Sequence, residues 1–114
     1  MTPAAFDAVC AGLPGVRMDV QWGDDHVWKV GDKMFAVRAA NGGSFSFKAS
    51  DIAFEALTAE GPGRPAPYLA RAKWVRFDDM ATLDDDELAD WLRTAHGLVA
   101  AKLTRAKRRE LGID

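Results

Sequence analysis

The segment from His26 to Ala39 constrains the fold more than any other. Two runs of strand character, His26 to Val30 and Lys33 to Ala39, meet at Gly31-Asp32. A two-residue connection of this kind, with glycine supplying a positive φ, closes an antiparallel hairpin. A parallel crossover would need a dozen residues or more. Asn41-Gly42-Gly43 turns the chain again, and Ser44 to Ala49 alternates, with Phe45 and Phe47 pointing one way and Ser44, Ser46 and Lys48 the other. Val20 to Trp22 supplies a short leading strand. The product is an antiparallel meander with one apolar and one polar face.

Helices flank this meander. Thr2-Pro3 reads as N-cap followed by proline at the first helical position, and Phe6, Val9, Cys10 and Leu13 then recur at helical spacing. Leu13-Pro14-Gly15 ends that helix. Ser50 or Asp51 caps a second helix, with Phe54 and Leu57 inward and Gly61 closing it. Ala72 to Phe77 is the last strand, with Lys73, Val75 and Phe77 on one face and Trp74 and Arg76 on the other. Asp84 caps a third helix, with Glu87 three residues on and Leu83 and Leu88 as a hydrophobic staple. Leu88, Trp91, Leu92, Ala95, Val99 and Leu103 line its apolar side. The reading is a two-layer α+β fold, in the order α, three or four strands, α, β, α. Helices cover one face of an antiparallel sheet and the other face stays open.

A chain of 114 residues is one domain, assigned here to residues 1–103. Residues 104–114 form a basic tail with little apolar pattern, expected to fray. Net charge is −2, so any attraction to a polyanion must come from a local patch. The single cysteine, Cys10, excludes an intramolecular disulfide and fits a reducing compartment. No signal-peptide pattern and no membrane-spanning apolar run is present, and the expected location is the cytoplasm.

Acids from Asp84 to Asp90 follow Asp78 and Asp79. They could hold a hard cation, but successive helical positions fan outward, and acids favour a helix N-terminus on their own account. His26 and His96 have no partner at metal-ligand spacing. No nucleophile elbow or phosphate-binding loop is present. No catalytic residue, metal or cofactor is expected, and Cys10 reads as a buried small hydrophobe.

The remaining signal is the acid-free stretch Pro62 to Phe77, "PGRPAPYLARAKWVRF", which holds Arg64, Arg71, Lys73 and Arg76 beside Tyr68 and Trp74. With Arg38, Ser46 and Lys48 on the polar sheet face, cations next to a flat ring suit sequence-tolerant nucleic-acid binding. Arg105, Lys107, Arg108 and Arg109 of the tail could add phosphate contacts. The plainer readings are a solvated sheet face, a cationic end suited to a helix C-terminus, a Trp74 packed beneath the proline loop, or a sheet face that meets another protein.

The segments "LPGV" (Leu13 to Val16), "WGDDHVWKVGDKMFAV" (Trp22 to Val37), "FSFK" (Phe45 to Lys48), "PGRPAPYLARAKWVRF" and "ELADWLRTAHGLVAAKL" (Glu87 to Leu103) together resemble the MmcQ/YjbR family over nearly the whole chain. The resemblance implies a compact α+β domain, similar to type III secretion chaperones and the CyaY-like class, and a DNA-binding label that rests on fold-level analogy. It implies no reaction, and it directs attention to Tyr68, Arg71 and Trp74. Two readings follow. In the first, the protein binds DNA with weak sequence preference, through Lys48, Arg71, Lys73 and Arg76 on phosphates and Tyr68 and Trp74 on bases, assisted by Arg64 and the tail. In the second, it is a protein-interaction module, a homodimer or chaperone-like adaptor, using the open sheet face.

Overall fold

The structure is a computed structural model that describes residues 1–113; Asp114 lies outside the described residues. Four helices, α1 (Pro3–Ala11), α2 (Asp51–Thr58), α3 (Asp85–Ala100) and α4 (Arg105–Glu110), accompany six strands: β1 (Val16–Gln21), β2 (Asp25–Val30), β3 (Lys33–Arg38), β4 (Phe45–Lys48), β5 (Arg64–Pro65) and β6 (Trp74–Phe77). The strands form one antiparallel sheet in the order β1-β2-β3-β4-β6-β5. The fold is therefore α+β with an open sheet.

Local chemistry sets the helix starts as the sequence predicts. The Thr2 hydroxyl accepts from the Ala5 amide at 3.1 Å, Ser50 from Ala53 at 3.1 Å, and Asp84 from Glu87 at 3.0 Å. The acids after Asp84 occupy the first turn of α3, where the helix dipole favours them. The β2–β3 hairpin closes at Gly31, whose φ is 60°.

α3 lies across β3 and β4, and α1 sits on α3 and β1. Between helices and sheet the core holds fully buried Phe6, Phe35, Phe47, Leu88, Leu92 and Cys10. Phe47 and Phe77 stack on Trp91 of α3 at centroid distances of 5.5 and 5.2 Å. Burying each such ring contributes roughly 2–3 kcal/mol relative to exposure, so this cluster pins α3 to the sheet. His96 is also buried here: its Nε2 lies 2.8 Å from the Pro14 carbonyl, to which it donates, and its ring meets Phe35 edge-on.

Two expectations change. Pairing passes from Trp28↔Ala36 to Lys29↔Met34, so Phe35 is an extra residue in β3. This bulge buries both Phe35 and Ala36 and reverses the alternation beyond them. Val37 then points to the open face, and Arg38, expected there, points towards α1. The segment after Leu103 also differs. Thr104 caps α4 by accepting from the Lys107 amide at 3.1 Å, and Leu111 and Ile113 pack against the core. The apolar pair follows the basic run by too few residues to register as a periodic stripe, yet it anchors the whole segment.

Candidate binding groove on the open sheet face

A groove of about 570 Å³ crosses the face of the sheet away from α3. Its floor is Met34 and Val37 of β3, Ser46 of β4 and Arg76 of β6. Cross-strand register places Val37 opposite Ser46, and Ser46 opposite Arg76, so these three form one row of side chains across three strands, with Met34 further along β3. One wall is the chain from Ala66 to Leu69, and the other is Trp22 with Asp25 at the β1–β2 turn.

Each wall ends in an aromatic side chain on left-handed backbone. Trp22 has φ 53° and is 63% exposed, and Tyr68 has φ 66° and is fully exposed. That conformation is uncommon for a non-glycine residue. At Trp22 it has a clear geometric effect. Strand alternation would leave residue 22 on the helix side with Met18 and Val20, and the left-handed turn instead brings the indole to the groove.

The Tyr68 wall is fastened to β6. The Ala66 amide donates to the Trp74 carbonyl at 3.0 Å, and the Trp74 amide to the Leu69 carbonyl at 3.2 Å. Arg64 and Pro65 pair with Arg76 and Val75. Gly63 lets the loop start close to α2: a Cβ there would lie 2.4 Å from the Leu57 carbonyl oxygen.

The predicted nucleic-acid residues are dispersed by this arrangement. Trp74, considered as a stacking ring or as a side chain beneath the proline loop, is buried at 5% exposure. The Lys48 ammonium donates to the Ala72 carbonyl, and burial depresses its pKa. Arg64 and Arg76 both donate to Asp78 Oδ1, at 2.5 and 3.4 Å. Lys73, itself left-handed with φ 64°, sits 5.0 Å over the Phe54 ring. Arg71 is exposed, and Tyr68 stands clear of the surface. On α4, Arg105 and Arg109 are exposed, Lys107 lies 3.8 Å from Glu110, and Arg108 donates to the Leu103 carbonyl at 2.9 Å. Leu111 approaches Gly15, just before β1, whereas Arg64 belongs to β5 at the far edge. Five strand spacings of about 4.8 Å put those edges roughly 24 Å apart.

A second polar cluster lies on the helix side. Arg38 grips Asp7 of α1 with two hydrogen bonds, at 2.8 and 2.6 Å. Trp28 Nε1 donates to the same carboxylate at 3.3 Å, and His26 Nδ1 lies 3.2 Å from it. Burial alone would raise the Asp7 carboxyl, but the Arg38 bonds and charge, with His26 and Trp28, hold it below its ordinary value. Cys10 is fully buried nearby, and burial, reinforced by the Asp7 charge, pushes its thiol far up. That sulfur is not an activated nucleophile. Among the described residues, no group of three or more His, Cys, Asp or Glu side chains is placed to hold a metal ion. Among the same described residues, no helix is long and apolar enough to cross a membrane.

Sequence reasoning named Arg76, Tyr68 and Ser46 on this face and missed Trp22, Asp25, Met34 and Val37 as groove residues. The bulge concealed Val37, which regular alternation with Arg38 outward would place on the helix side. The Trp22-Gly23 turn was the available signal for Trp22.

Fold and groove together define a small two-layer α+β domain whose uncovered sheet face is roofed at both ends by aromatic residues. The chain belongs to the YjbR family, whose model matches residues 11–98. Among solved structures it is similar to the Deinococcus radiodurans protein DR2400, a DUF419 domain, with 28% identity and a TM-score of 0.81 over 94% of this chain and 85% of that one. No curated protein matches it in sequence.

Proposed function

We propose that this protein is a non-catalytic interaction module that takes a short segment of another protein into the groove between Trp22 and Tyr68. The observation that carries this reading is the groove itself. Its volume of about 570 Å³ falls within the usual range for binding sites, its lining is mainly apolar, and exposed tryptophan and tyrosine flank it. These two residue types recur as anchors of protein interfaces. Asp25 on one side and Arg76, shared with Asp78 at 3.4 Å, on the other set an anion and a cation along the groove. Holding Tyr68 in a strained conformation without burying it is a stability cost of the kind that persists where function requires it.

A display library of random peptides tests this. The full chain is expected to enrich peptides with apolar or aromatic residues, and a folded Trp22→Ala/Tyr68→Ala variant is expected to lose them. Failure to enrich, or equal enrichment by the variant, would count against the groove.

DNA binding is the second reading, and what favours it is the exposed Arg71 beside the exposed Tyr68. The internal engagement of Lys48, Arg64 and Arg76 and the burial of Trp74 weigh against a continuous cationic face. A titration with fluorescent single and double strands at two salt concentrations tests it. Binding that falls steeply with salt and is lost in Arg71→Glu would favour DNA over peptide.

A further inference from the structure

The two edges of the sheet are not equally protected. β5 is only two residues long and contains Pro65, and shortness and proline both discourage pairing with a further strand. β1 at the other edge has six residues and no proline, and it leaves outward backbone groups without a strand partner. It also displays apolar side chains, with Met18 36% and Val20 56% exposed.

We propose that β1 pairs with β1 of a second copy, joining two sheets edge to edge across a twofold axis at Met18. This goes beyond the groove reading and does not depend on it. A twofold axis perpendicular to an antiparallel pair keeps each side chain on its own face, so even-numbered residues meet even and odd meet odd. Of the registers centred inside the strand, those on Met18 and Asp19 pair five residues and those on Arg17 and Val20 only three. Centring on Arg17 opposes two arginines, and centring on Asp19 opposes two aspartates; like charges directly opposed are unfavourable. Centring on Met18 puts Arg17 opposite Asp19 of the second copy, twice by symmetry. The same register sets Met18 against Met18 and Val16 against Val20.

The two charges are within reach of such a partner. Arg17 is half exposed, lies 3.4 Å from its own Asp19 and donates to the Gly31 carbonyl at 2.8 Å. Asp19 also holds Lys29 at 3.0 Å. On a lone strand these charges guard an edge; in this register alone they become cross-strand pairs. A five-residue seam is small beside the roughly 1,200 Å² of a standard stable interface, so the association is weak and concentration-dependent.

Cysteine cross-linking reads the register directly, because Cys10 is fully buried. Under mild oxidation, Met18→Cys is expected to form a disulfide-linked dimer. Val20→Cys is expected to form no disulfide, since its two copies would sit four residues out of step, roughly 13 Å apart, beyond the reach of about 7 Å for a disulfide. Equal cross-linking at both sites, or none at either, overturns the proposal. Sedimentation of the uncut wild-type chain over a roughly hundred-fold concentration range should show a reversible dimer, and monomer throughout also overturns it. Arg17→Asp and Asp19→Arg should each weaken association about ten-fold, by opposing like charges, and the double exchange should restore it. A double variant that is folded by circular dichroism yet monomeric contradicts the charge pairing.

Discussion

At Tyr68 a backbone penalty stands without compensating burial. Left-handed backbone costs an ordinary L-residue roughly 1–2 kcal/mol, and the ring, fully exposed, recovers none of it through packing. Asparagine tolerates this conformation better. Tyr68→Asn is therefore expected to gain up to about 1 kcal/mol in urea unfolding while weakening peptide capture. A gain in stability with unchanged capture would remove the ring from the binding reading. Asp7 makes the opposite case. Its carboxylate takes bonds from Arg38 and Trp28, and Arg38, with a side chain 11% exposed, would lose its counter-charge. Asp7→Asn is expected to lose roughly 2 kcal/mol at neutral pH, as for hydrogen bonds to charged groups. The sign with pH follows from linkage: the folded carboxyl titrates below its unfolded value of 3.8. Its stabilisation is complete above that value and fades as pH falls through the folded one. The difference in urea midpoint between wild type and variant should therefore hold constant from neutral pH down to 3.8 and shrink only on further acidification. Neither role was legible in the sequence, because φ at Tyr68 and the approach of α1 to β3 are set by tertiary contacts.

Among the elements, what was legible was local. Thr2, Ser50 and Asp84 cap the helices expected of them, and Gly31-Asp32 closes the expected hairpin, because a cap or a tight turn involves only a few adjacent residues. The bulge at Phe35 was not legible. Phe35 and Ala36 are both apolar, so the pattern accommodates either alternation, and only pairing with β2 decides which side Val37 and Arg38 take. The proline loop was correctly read as breaking regular structure, yet it still contributes the two-residue β5 and a 3-10 turn, Ala70–Ala72, that returns the chain to β6. Its entry point is the most sensitive position in this element. Gly63 is buried, and a Cβ there would meet the Leu57 carbonyl oxygen at 2.4 Å and Phe77 Cζ at 3.0 Å. Gly63→Ala must push the loop off α2, at a cost of roughly 1–3 kcal/mol typical of overpacking. Because the same loop carries the Tyr68 wall, peptide capture should fall together with the thermal midpoint. A variant with a lowered midpoint and intact capture would show that the wall is positioned from β6 alone.

Over the whole molecule, charge and apolar anchoring are divided between the two edges of the sheet. The cations from Arg64 to Arg76 accompany β5 and β6, whereas α4 is tied to the turns flanking β1 and β2. Leu111 and Ile113 meet Gly15, and Leu103 and Leu111 meet Gly31. The C-terminal segment therefore has a structural role separable from any part its cations play. Deleting residues 104–114 uncovers Leu103 and the two glycine turns and removes two partly buried aliphatic side chains. Partial burial of two such groups corresponds to roughly 2 kcal/mol, or a fall of about 5–15 °C in midpoint for a domain of this size. Below that lowered midpoint the groove, none of whose lining residues belongs to the deleted segment, should bind its peptides unchanged. Any DNA affinity that depended on Arg105, Lys107, Arg108 and Arg109 would fall in the deleted chain, and its salt dependence would flatten as phosphate contacts are lost. Comparing the deletion with a full-length chain in which these four residues are replaced by glutamine separates the two roles. The deletion should lose stability and the glutamine variant should largely keep it. An equal loss of stability in both would mean that the charges, and not Leu111 and Ile113, hold α4 in place.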